Sequence, residues 1–228
     1  VGALRARAGG VRSGLEAEVS LVVDVMLPAE RLACAARDFQ ADFPTVALRL
    51  HIESLGAVGQ LVLGGVATIG VSGPIRAGGE VLEQRAIGHV ELVPVAAPDH
   101  PLARSGPLVP GESRDHIQLV LSDRSPLTAG QDFGVLAERT WRIADLSAKH
   151  ALLRAAIGWG SMPRWMIADD LAAGRLVALD LPEWPRVGYP FHLIHRTDTP
   201  PGPAARWLID RFAAQAEGGE SGAYAAAP

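Results

Sequence analysis

Several short stretches of the sequence carry residue types that catalytic or metal sites use. Residues 70–74 (GVSGP) approach the nucleophile-elbow pattern G-x-S-x-G, but the last glycine is a proline and no helix signal follows. Residues 158–163 (GWGSMP) begin like the dinucleotide-binding pattern G-x-G-x-x-G, but they end in proline and follow a predicted helix. The Asp-His pairs at 99–100 and 115–116 have no third ligand at metal-site spacing. The sequence therefore predicts no enzyme, no cofactor and no metal site.

Polar residues stand instead where predicted strands end and helices begin. There are four such places, at residues 24–26, 54–55, 122–123 and 145–147. Open α/β sheets bind ligands at the carboxyl ends of their strands, where helix N-termini present free N–H groups. Each place is also compatible with an ordinary helix cap or turn. The candidate ligand-binding residues are Asp24, Val25, Met26, Ser54, Leu55, Ser122, Asp123 and Ser147.

Lys149 is the only lysine of the chain and falls in the first turn of a predicted helix. A cation at that end of a helix opposes the helix dipole. Two interpretations stay open: a contact to an anionic effector, or a solvated surface lysine.

The elements that would position these residues begin with a strand–helix–strand–helix–strand series. Residues 19–25 (VSLVVDV) predict a buried strand, and a helix starts at Pro28 and stops before Pro44. Residues 46–52 alternate between apolar and polar positions, a second helix covers 55–62, and a third strand covers 66–71. This spacing implies right-handed crossovers and a parallel sheet covered on both faces.

Residues 90–103 (VELVPVAAPDHPLA) lead out of this first unit. The apolar strand 90–97 is stopped by Pro98 and Pro101. A looser set of strands follows at 118–121, 140–143 and 176–179, with helices over 148–155, where Ser147 is the expected N-cap, and over 163–171. Residues 191–195 would return to the first unit, before a last helix that begins in the prolines at 200–203.

We therefore expect two small α/β lobes with a cleft between them. The predicted boundaries are a linker over 1–18, lobe I over 19–95 and 194–215, lobe II over 96–193, and a disordered tail over 216–228.

Composition limits the classes of partner. The chain has 228 residues, 48% of them hydrophobic, and a formal net charge of −4, so it lacks the basic footprint of a nucleic-acid-binding surface. No apolar run approaches the roughly 18 residues that a membrane span needs. The single cysteine, Cys34, is expected to be a buried free thiol in a reducing compartment. The chain starts without Met or a signal peptide, so we expect a cytoplasmic fragment.

Blocks along most of the chain resemble one protein family. The series GLEAEVSLVVD, FQADFP, VALRLHIE, VELVPVAAPDHPLA, HIQLVLSDRS, TWRIADLSAKHALLRAAIGWGSMPRWMIADDLAAGRLVAL and PPGPAARWLIDRF, from about Leu15 to Phe212, resembles the effector-sensing domain of LysR-type transcriptional regulators. The order and spacing of the blocks carry the resemblance. The family's winged helix-turn-helix and linker helix are missing, so DNA would be bound only through that missing N-terminal domain.

The resemblance implies a fold similar to type II periplasmic binding proteins, with two Rossmann-like lobes joined by two crossing strands. It implies a small-molecule effector between the lobes and adds Gly158 to the contacts. It also implies a homodimer of sensor domains within a tetramer of the intact regulator. Where the family usually has small polar residues, this chain has Asp24, Val25 and Met26. Asp24 favours a cationic or neutral donor-rich ligand, whereas Lys149 favours an anion.

The predicted function is effector sensing and oligomerisation in a LysR-type regulator that controls transcription. One alternative is a solute-binding protein of a transporter with the same fold. An enzyme on this scaffold would need a cluster of perturbed acids, such as Asp24 with Asp123 or Asp145.

Overall fold

The structure is a computed structural model, and it describes residues 15–74, 78–131, 133–184 and 188–219, with side chains up to 215. Two compact units divide the chain. One comprises the residues up to His89 together with those from Pro190, and the other comprises Val90–Tyr189. The chain thus passes from one unit to the other twice, at positions a few residues before the changes predicted after 95 and 193.

Ten strands and six α-helices follow in chain order. They are β1 (Glu18–Asp24), α1 (Ala29–Asp42), β2 (Ala47–Glu53), α2 (Gly56–Leu63), β3 (Ile69–Ser72), β4 (Leu82–Val90), β5 (Leu92–Ala96), α3 (Pro101–Arg104), β6 (Gln118–Leu121), β7 (Thr140–Ile143), α4 (Leu146–Arg154), β8 (Trp159–Pro163), α5 (Arg164–Ala172), β9 (Val177–Ala178), β10 (Tyr189–Arg196) and α6 (Pro203–Gly219), all counted within the described residues. Short 3-10 turns cover Gly79–Val81, Glu112–Asp115 and Pro126–Thr128.

The first unit contains a five-stranded sheet in the order β2-β1-β3-β10-β4. β1 is parallel to both β2 and β3, and β10 runs antiparallel to β3. Six of the seven residues of β1 are buried, as its largely apolar sequence predicts for a central strand covered on both faces. The core of this unit includes Val22, Val58, Val62 and Ile194. The sheet therefore brings the carboxyl ends of β1 and β2 to the same edge.

The second unit contains another five-stranded sheet in the order β7-β6-β8-β5-β9. β6 is parallel to β7 and β8, while β5 runs antiparallel to β8 and β9. Trp159 is fully buried and donates its indole N–H to the Ser113 carbonyl at 3.1 Å. Both units are α/β, which confirms the predicted fold class.

Strand β8 was not among the predicted elements. Its sequence, GWGSMP, is poor in strand-forming residues, and its glycines and proline have low strand propensity, so the sequence does not predict a strand here. The glycines are nevertheless needed. A Cβ at Gly158 would lie 2.3 Å from the Ile117 carbonyl oxygen, and one at Gly160 would lie 2.6 Å from the Leu119 carbonyl oxygen. The strand thus packs more closely than any larger residue would allow.

Three local expectations need correction. The N-cap of α4 is Asp145, whose Oδ1 accepts from Ala148 N at 2.6 Å, and not Ser147, which lies exposed inside the helix. The predicted tail from 216 overlaps α6, which continues to Gly219. Cys34 is half-buried rather than buried.

The predicted linker over 1–18 also holds a tertiary contact at its end. Glu16 accepts backbone hydrogen bonds from Ala204 N at 3.0 Å and Ala205 N at 3.1 Å, in the first turn of α6. The rest of that segment, up to residue 14, lies outside the described residues, as do 220–228 of the tail. None of the helices that the structure describes is both long and apolar enough to cross a membrane.

Candidate functional site

Asp24 organises the strand-end site of the first unit. It is the last residue of β1, is only 1% exposed, and pairs in register with Glu53 at the end of β2. Its Oδ1 accepts from Met26 N at 2.9 Å, and its Oδ2 accepts from Leu55 N at 3.3 Å. One carboxylate therefore links the turn after β1 to the segment that leads into α2, because its two oxygens accept hydrogen bonds from both.

Leu55 has a backbone conformation that residues other than glycine rarely adopt. Its φ is 51° and its ψ is −124°, and the residue precedes α2 without a side-chain cap. A non-glycine residue in this region is strained, so surrounding contacts must hold it. The contacts that hold Leu55 are the hydrogen bond from its N–H to Asp24 and the packing of its buried side chain, which is 7% exposed. Ser54 beside it is also buried, and its carbonyl oxygen accepts from Ala57 N at 3.1 Å.

The structure thus brings together the five candidates of the first unit, since Asp24, Val25 and Met26 form the turn after β1 and Ser54 and Leu55 precede α2. Val25 N donates to the Glu53 carbonyl at 2.8 Å, which joins the two turns directly. Val25 is the half-buried member of the group, whereas Met26 is buried.

Ser122 and Asp123 follow β6 in the second unit, where β7 also ends. Ser122 N donates to the Ile143 carbonyl at 3.0 Å, so the two carboxyl ends are fastened together. The Thr128 hydroxyl donates to Asp123 Oδ1, and Ser125 caps the short turn that follows. Ser147 lies on the first turn of α4, which starts just after β7. These three candidates therefore belong to neighbouring strand ends of one sheet.

Lys149 is neither solvated nor part of an ion pair in the described residues. Its side chain is 2% exposed, and its Nζ donates to the Ser161 carbonyl of β8 at 2.7 Å. Burial penalises the charged form and lowers the pKa of this amine from 10.5 to about 7. The missing side chain of Gly160 makes room for the lysine, since a Cβ there would lie 3.2 Å from Lys149 Cε. The surface interpretation of this residue is therefore wrong.

Gly158 does not join the other candidates. β6 and β8 are parallel, with Gln118 opposite Trp159 at their amino ends. Gly158 lies just before the amino end of β8, whereas Ser122 follows the carboxyl end of β6. The two residues therefore lie at opposite ends of the parallel strands. The close approach to Ile117 explains this glycine without a ligand.

An ion cluster around Asp170 escaped sequence reasoning. Asp170 is 4% exposed and contacts His150 Nε2 at 2.5 Å, the Arg175 guanidinium, and Arg154 Nε at 3.7 Å. Burial raises the pKa of its carboxyl, but hydrogen bonds from Arg175 and His150 outweigh burial and hold it below its usual value. The cluster joins α4 to the end of α5. The signal in the sequence was weak: Asp170 is followed by Gly174 and Arg175 at the end of the predicted helix.

The histidines of the two Asp-His pairs meet, with ring centroids 5.2 Å apart for His100 and His116. His100 Nδ1 accepts from Leu102 N, so this buried ring caps α3. Burial, and secondarily His116, lowers the pKa of His100. Within the described residues, no group of three His, Cys, Asp or Glu side chains could hold a metal ion.

Comparisons with known proteins identify a family to which this chain is similar. The family model described as "LysR substrate binding domain" matches residues 12–217. A search of curated proteins finds no match.

Similar solved structures include three LysR-type proteins. The regulatory domain of CcmR from Synechocystis PCC6803 in complex with 2-PG is 14% identical with a TM-score of 0.72, covering 88% of this chain and 97% of that one. The regulatory domain of MetR from N. meningitidis is 15% identical with a TM-score of 0.65, covering 89% and 96%. Full-length LysG from Corynebacterium glutamicum with bound effector Arg is 19% identical with a TM-score of 0.67, covering 94% and 73%.

At these identities the similarity establishes the fold, which is the type II periplasmic-binding-protein-like fold that the sequence predicts. The family model carries the assignment further, because it spans most of the chain. The chain belongs to the LysR substrate binding domain family, whose members are the effector-sensing parts of LysR-type transcriptional regulators.

Proposed function

We propose that this domain binds a small-molecule effector at the strand-end residues identified from the sequence and thereby controls transcription in a LysR-type regulator. The observation that carries the proposal is the family match over residues 12–217. The proposed contacts are Val25, Met26, Ser54 and Leu55 in the first unit and Ser122, Asp123, Ser147 and Lys149 in the second. Gly158 is left out because its packing against Ile117 accounts for it.

Asp24 acts in this proposal as a positioning residue. Its oxygens accept the N–H groups of Met26 and Leu55, so the carboxylate holds in place the backbone turns that would contact the effector. A carboxylate at this place disfavours an anionic group of an effector and favours a cationic one.

Lys149 opposes that preference less than a solvated lysine would, because burial lowers its pKa. With a pKa of about 7, the amine is about half protonated at pH 7 and mostly neutral at pH 8. We therefore propose an effector that is cationic or a neutral hydrogen-bond donor. The LysG structure contains Arg and the CcmR structure contains 2-PG, so bound molecules of different chemistry occur on this fold.

A thermal-shift screen tests the effector class. Three sets of metabolites, cationic, neutral polyhydroxylated and carboxylate, are compared at pH 7.5, with calorimetry on the hits. A ligand that binds only the folded state raises the melting temperature by mass action. Hits confined to carboxylates would refute the proposed class.

Substitutions then locate the site. Ser122→Trp and Ser147→Trp add bulk at the strand ends of the second unit, and each should weaken binding of a hit at least tenfold. Thr45→Trp is the control, because Thr45 is exposed on the loop before β2. Circular dichroism verifies that each variant folds. Unchanged affinity in both serine variants would refute the assigned contacts.

We also propose that the domain forms a homodimer. β2 is an edge strand whose Leu50 and Ile52 are 41% and 56% exposed, and the edge strand β7 exposes Trp141 to 48%. Open edge strands with apolar side chains invite a second chain. Analytical ultracentrifugation over a concentration series should show a monomer–dimer equilibrium, and a monomer at every concentration would refute the dimer.

A further inference from the structure

The first unit has a cavity on the opposite side of β3 from the proposed effector contacts. Its volume is about 380 Å³, within the range of small-molecule sites. The strands β10 and β4 form its floor, and the beginning of α6 with the prolines before it forms its wall. It is lined by Glu83, Arg85, Leu193, His195, Pro200, Pro201, Arg206, Ile209 and Asp210.

The apolar part of the cavity can hold a hydrocarbon body. Leu193 is 2% exposed and Pro201 is buried, while Ile209 is half-buried. These three residues come from β10, the loop before α6, and α6 itself. A ring or short chain of carbon atoms that fills the space would bury its surface against all three.

The polar part of the cavity contains two ion pairs whose partners interact only weakly. Arg85 and Asp210 approach only to 3.9 Å, with side-chain exposures of 54% and 78%. His195 Nε2 lies 3.4 Å from Glu83 Oε2, and Glu83 is 68% exposed. The exposed Arg85–Asp210 pair contributes little to stability, and in the other pair Glu83 is exposed while His195 is 16% exposed, so a ligand could replace the contacts of the two carboxylates at small cost.

Arg206 is the one charged group of the cavity that a short hydrogen bond fixes. Its Nε donates to the Pro201 carbonyl at 2.7 Å, and no other hydrogen bond of this side chain occurs within the described residues. The two terminal amino groups of the guanidinium therefore keep their donors. A fixed guanidinium with unused donors matches the two oxygens of a carboxylate.

We propose that this cavity is a second binding site, specific for small carboxylates with an apolar body. Arg206 is the anchoring contact and Arg85 a supporting one, while Leu193 and Ile209 contact the hydrocarbon part. The carboxylates of Glu83 and Asp210 offset the two arginines and keep the affinity modest. The site uses none of the residues assigned to the effector, so it stands independently of the proposed function.

The test uses three probes of one shape: cyclohexanecarboxylate, cyclohexylmethylamine and cyclohexanemethanol. Each is titrated to 10 mM into the ¹⁵N-labelled full chain, and backbone amide shifts are followed. The carboxylate should move the amides of Leu193, His195, Arg206 and Ile209, and the other two probes should bind at least tenfold more weakly. Absence of shifts at these residues, or preference for the amine, would overturn the proposal.

Variants separate the roles of the charges. Arg206→Ala should weaken carboxylate binding at least tenfold, and Arg85→Gln should weaken it by a few-fold. Asp210→Asn should strengthen binding a few-fold, because it removes the negative charge beside Arg85. Arg85→Gln keeps the test meaningful should Arg206→Ala disturb the loop at Pro201.

Ser122→Trp is the control for independence, because it alters the proposed effector contacts in the second unit. Binding of cyclohexanecarboxylate should be unchanged in this variant. Loss of binding would place the carboxylate at the effector site and overturn the second site. If the Arg206→Ala and Asp210→Asn variants bind like the wild type, the cavity assignment is likewise overturned.

Discussion

At the level of single residues, the carboxylate of Asp24 links two turns of the first unit. It is buried at the end of a central strand and receives N–H groups from the turn after β1 and from Leu55, whose backbone is strained. A buried group with two backbone donors is costly to alter, because a replacement leaves donors unsatisfied.

Asp24→Asn should lower the free energy of unfolding by about 1–3 kcal/mol, since the amide group would turn a donor toward one of the two N–H groups. Urea denaturation measures the change. Asp42→Asn is the matched control, because Asp42 is exposed at the end of α1, and its effect should stay within about 0.5 kcal/mol. Equal effects of the two substitutions would contradict the role given to Asp24.

Lys149 makes stability depend on pH with a definite sign. Its pKa is about 7 in the folded chain and near 10.5 when solvated. Between these values the unfolded chain binds a proton that the folded chain does not, so this group makes stability rise with pH. Below pH 7 the charge stays buried, and its full cost remains.

Lys149→Met should therefore stabilise the domain most at low pH. From pH 7 to pH 9.5 the advantage of the variant should shrink by roughly 2–4 kcal/mol, at about 1.36 kcal/mol for each pH unit. Thermal or urea denaturation at pH 6, 7.5 and 9.5 measures it. Leu152→Met in the same helix should show a difference that is flat with pH, and a flat difference for Lys149→Met would contradict the buried-amine interpretation.

Among the secondary-structure elements, α4 shows what sequence reasoning can and cannot resolve. The helix itself follows from its apolar spacing, but both Asp145 and Ser147 are good capping residues and only the backbone decides between them. Asp145 has extended backbone and caps Ala148 N, while Ser147 is already helical.

Asp145→Ala should cost about 1 kcal/mol of stability through the lost cap. Ser147→Ala, two positions along, should change stability by no more than about 0.5 kcal/mol. Chemical denaturation of both variants distinguishes them. A larger loss in Ser147→Ala would mean that the helix begins where the sequence first suggested.

Glu16 and Gly202 form a coupled pair at the start of α6. A Cβ at Gly202 would lie 2.3 Å from Glu16 Oε1, so a side chain there displaces the carboxylate that accepts Ala204 N and Ala205 N. Glu16→Ala and Gly202→Ala should each cost about 1–2 kcal/mol, and the double variant little more than either. Additive losses in a double-mutant cycle by urea denaturation would show that the two residues act separately.

The strands show a similar division. The strands at 19–25 and 118–121 were predictable, because a short, largely apolar run is typical of a buried parallel strand. β8 was not, because the reason for its glycines is the neighbouring backbone at Ile117 and Leu119. The same limit hid the burial of Lys149, which depends on the space left by Gly160.

At the scale of the whole molecule, three exposed apolar side chains, Leu50, Ile52 and Trp141, lie on strands that end their sheets. The alternation along residues 46–52 predicted the strand β2, yet Leu50 and Ile52 lie on a largely uncovered face. Periodicity identifies which side chains share a face, but the partner that covers the face need not belong to the same chain. Strand pattern alone therefore cannot separate a core face from an interface.

Ile52→Lys on β2 and Trp141→Lys on β7 should each raise the dimer dissociation constant at least tenfold, because each buries a charge in the proposed apolar interface. Sedimentation velocity over a concentration series measures the constant. Val66→Lys is the control, since Val66 is 51% exposed but lies on the loop before β3. Equal dissociation constants in all three variants would place the interface elsewhere.

The contact between Glu16 and α6 has a practical consequence for shortening the gene. A version that starts at Val19 looks harmless, since β1 would keep nearly all of its residues. Yet the Ala204 and Ala205 amides would lose their acceptor, and the last helix would begin with an open end. A start before Leu15 keeps the carboxylate, and comparing the expression and melting of the two versions would show how much a single side chain ahead of the first strand contributes to the last helix.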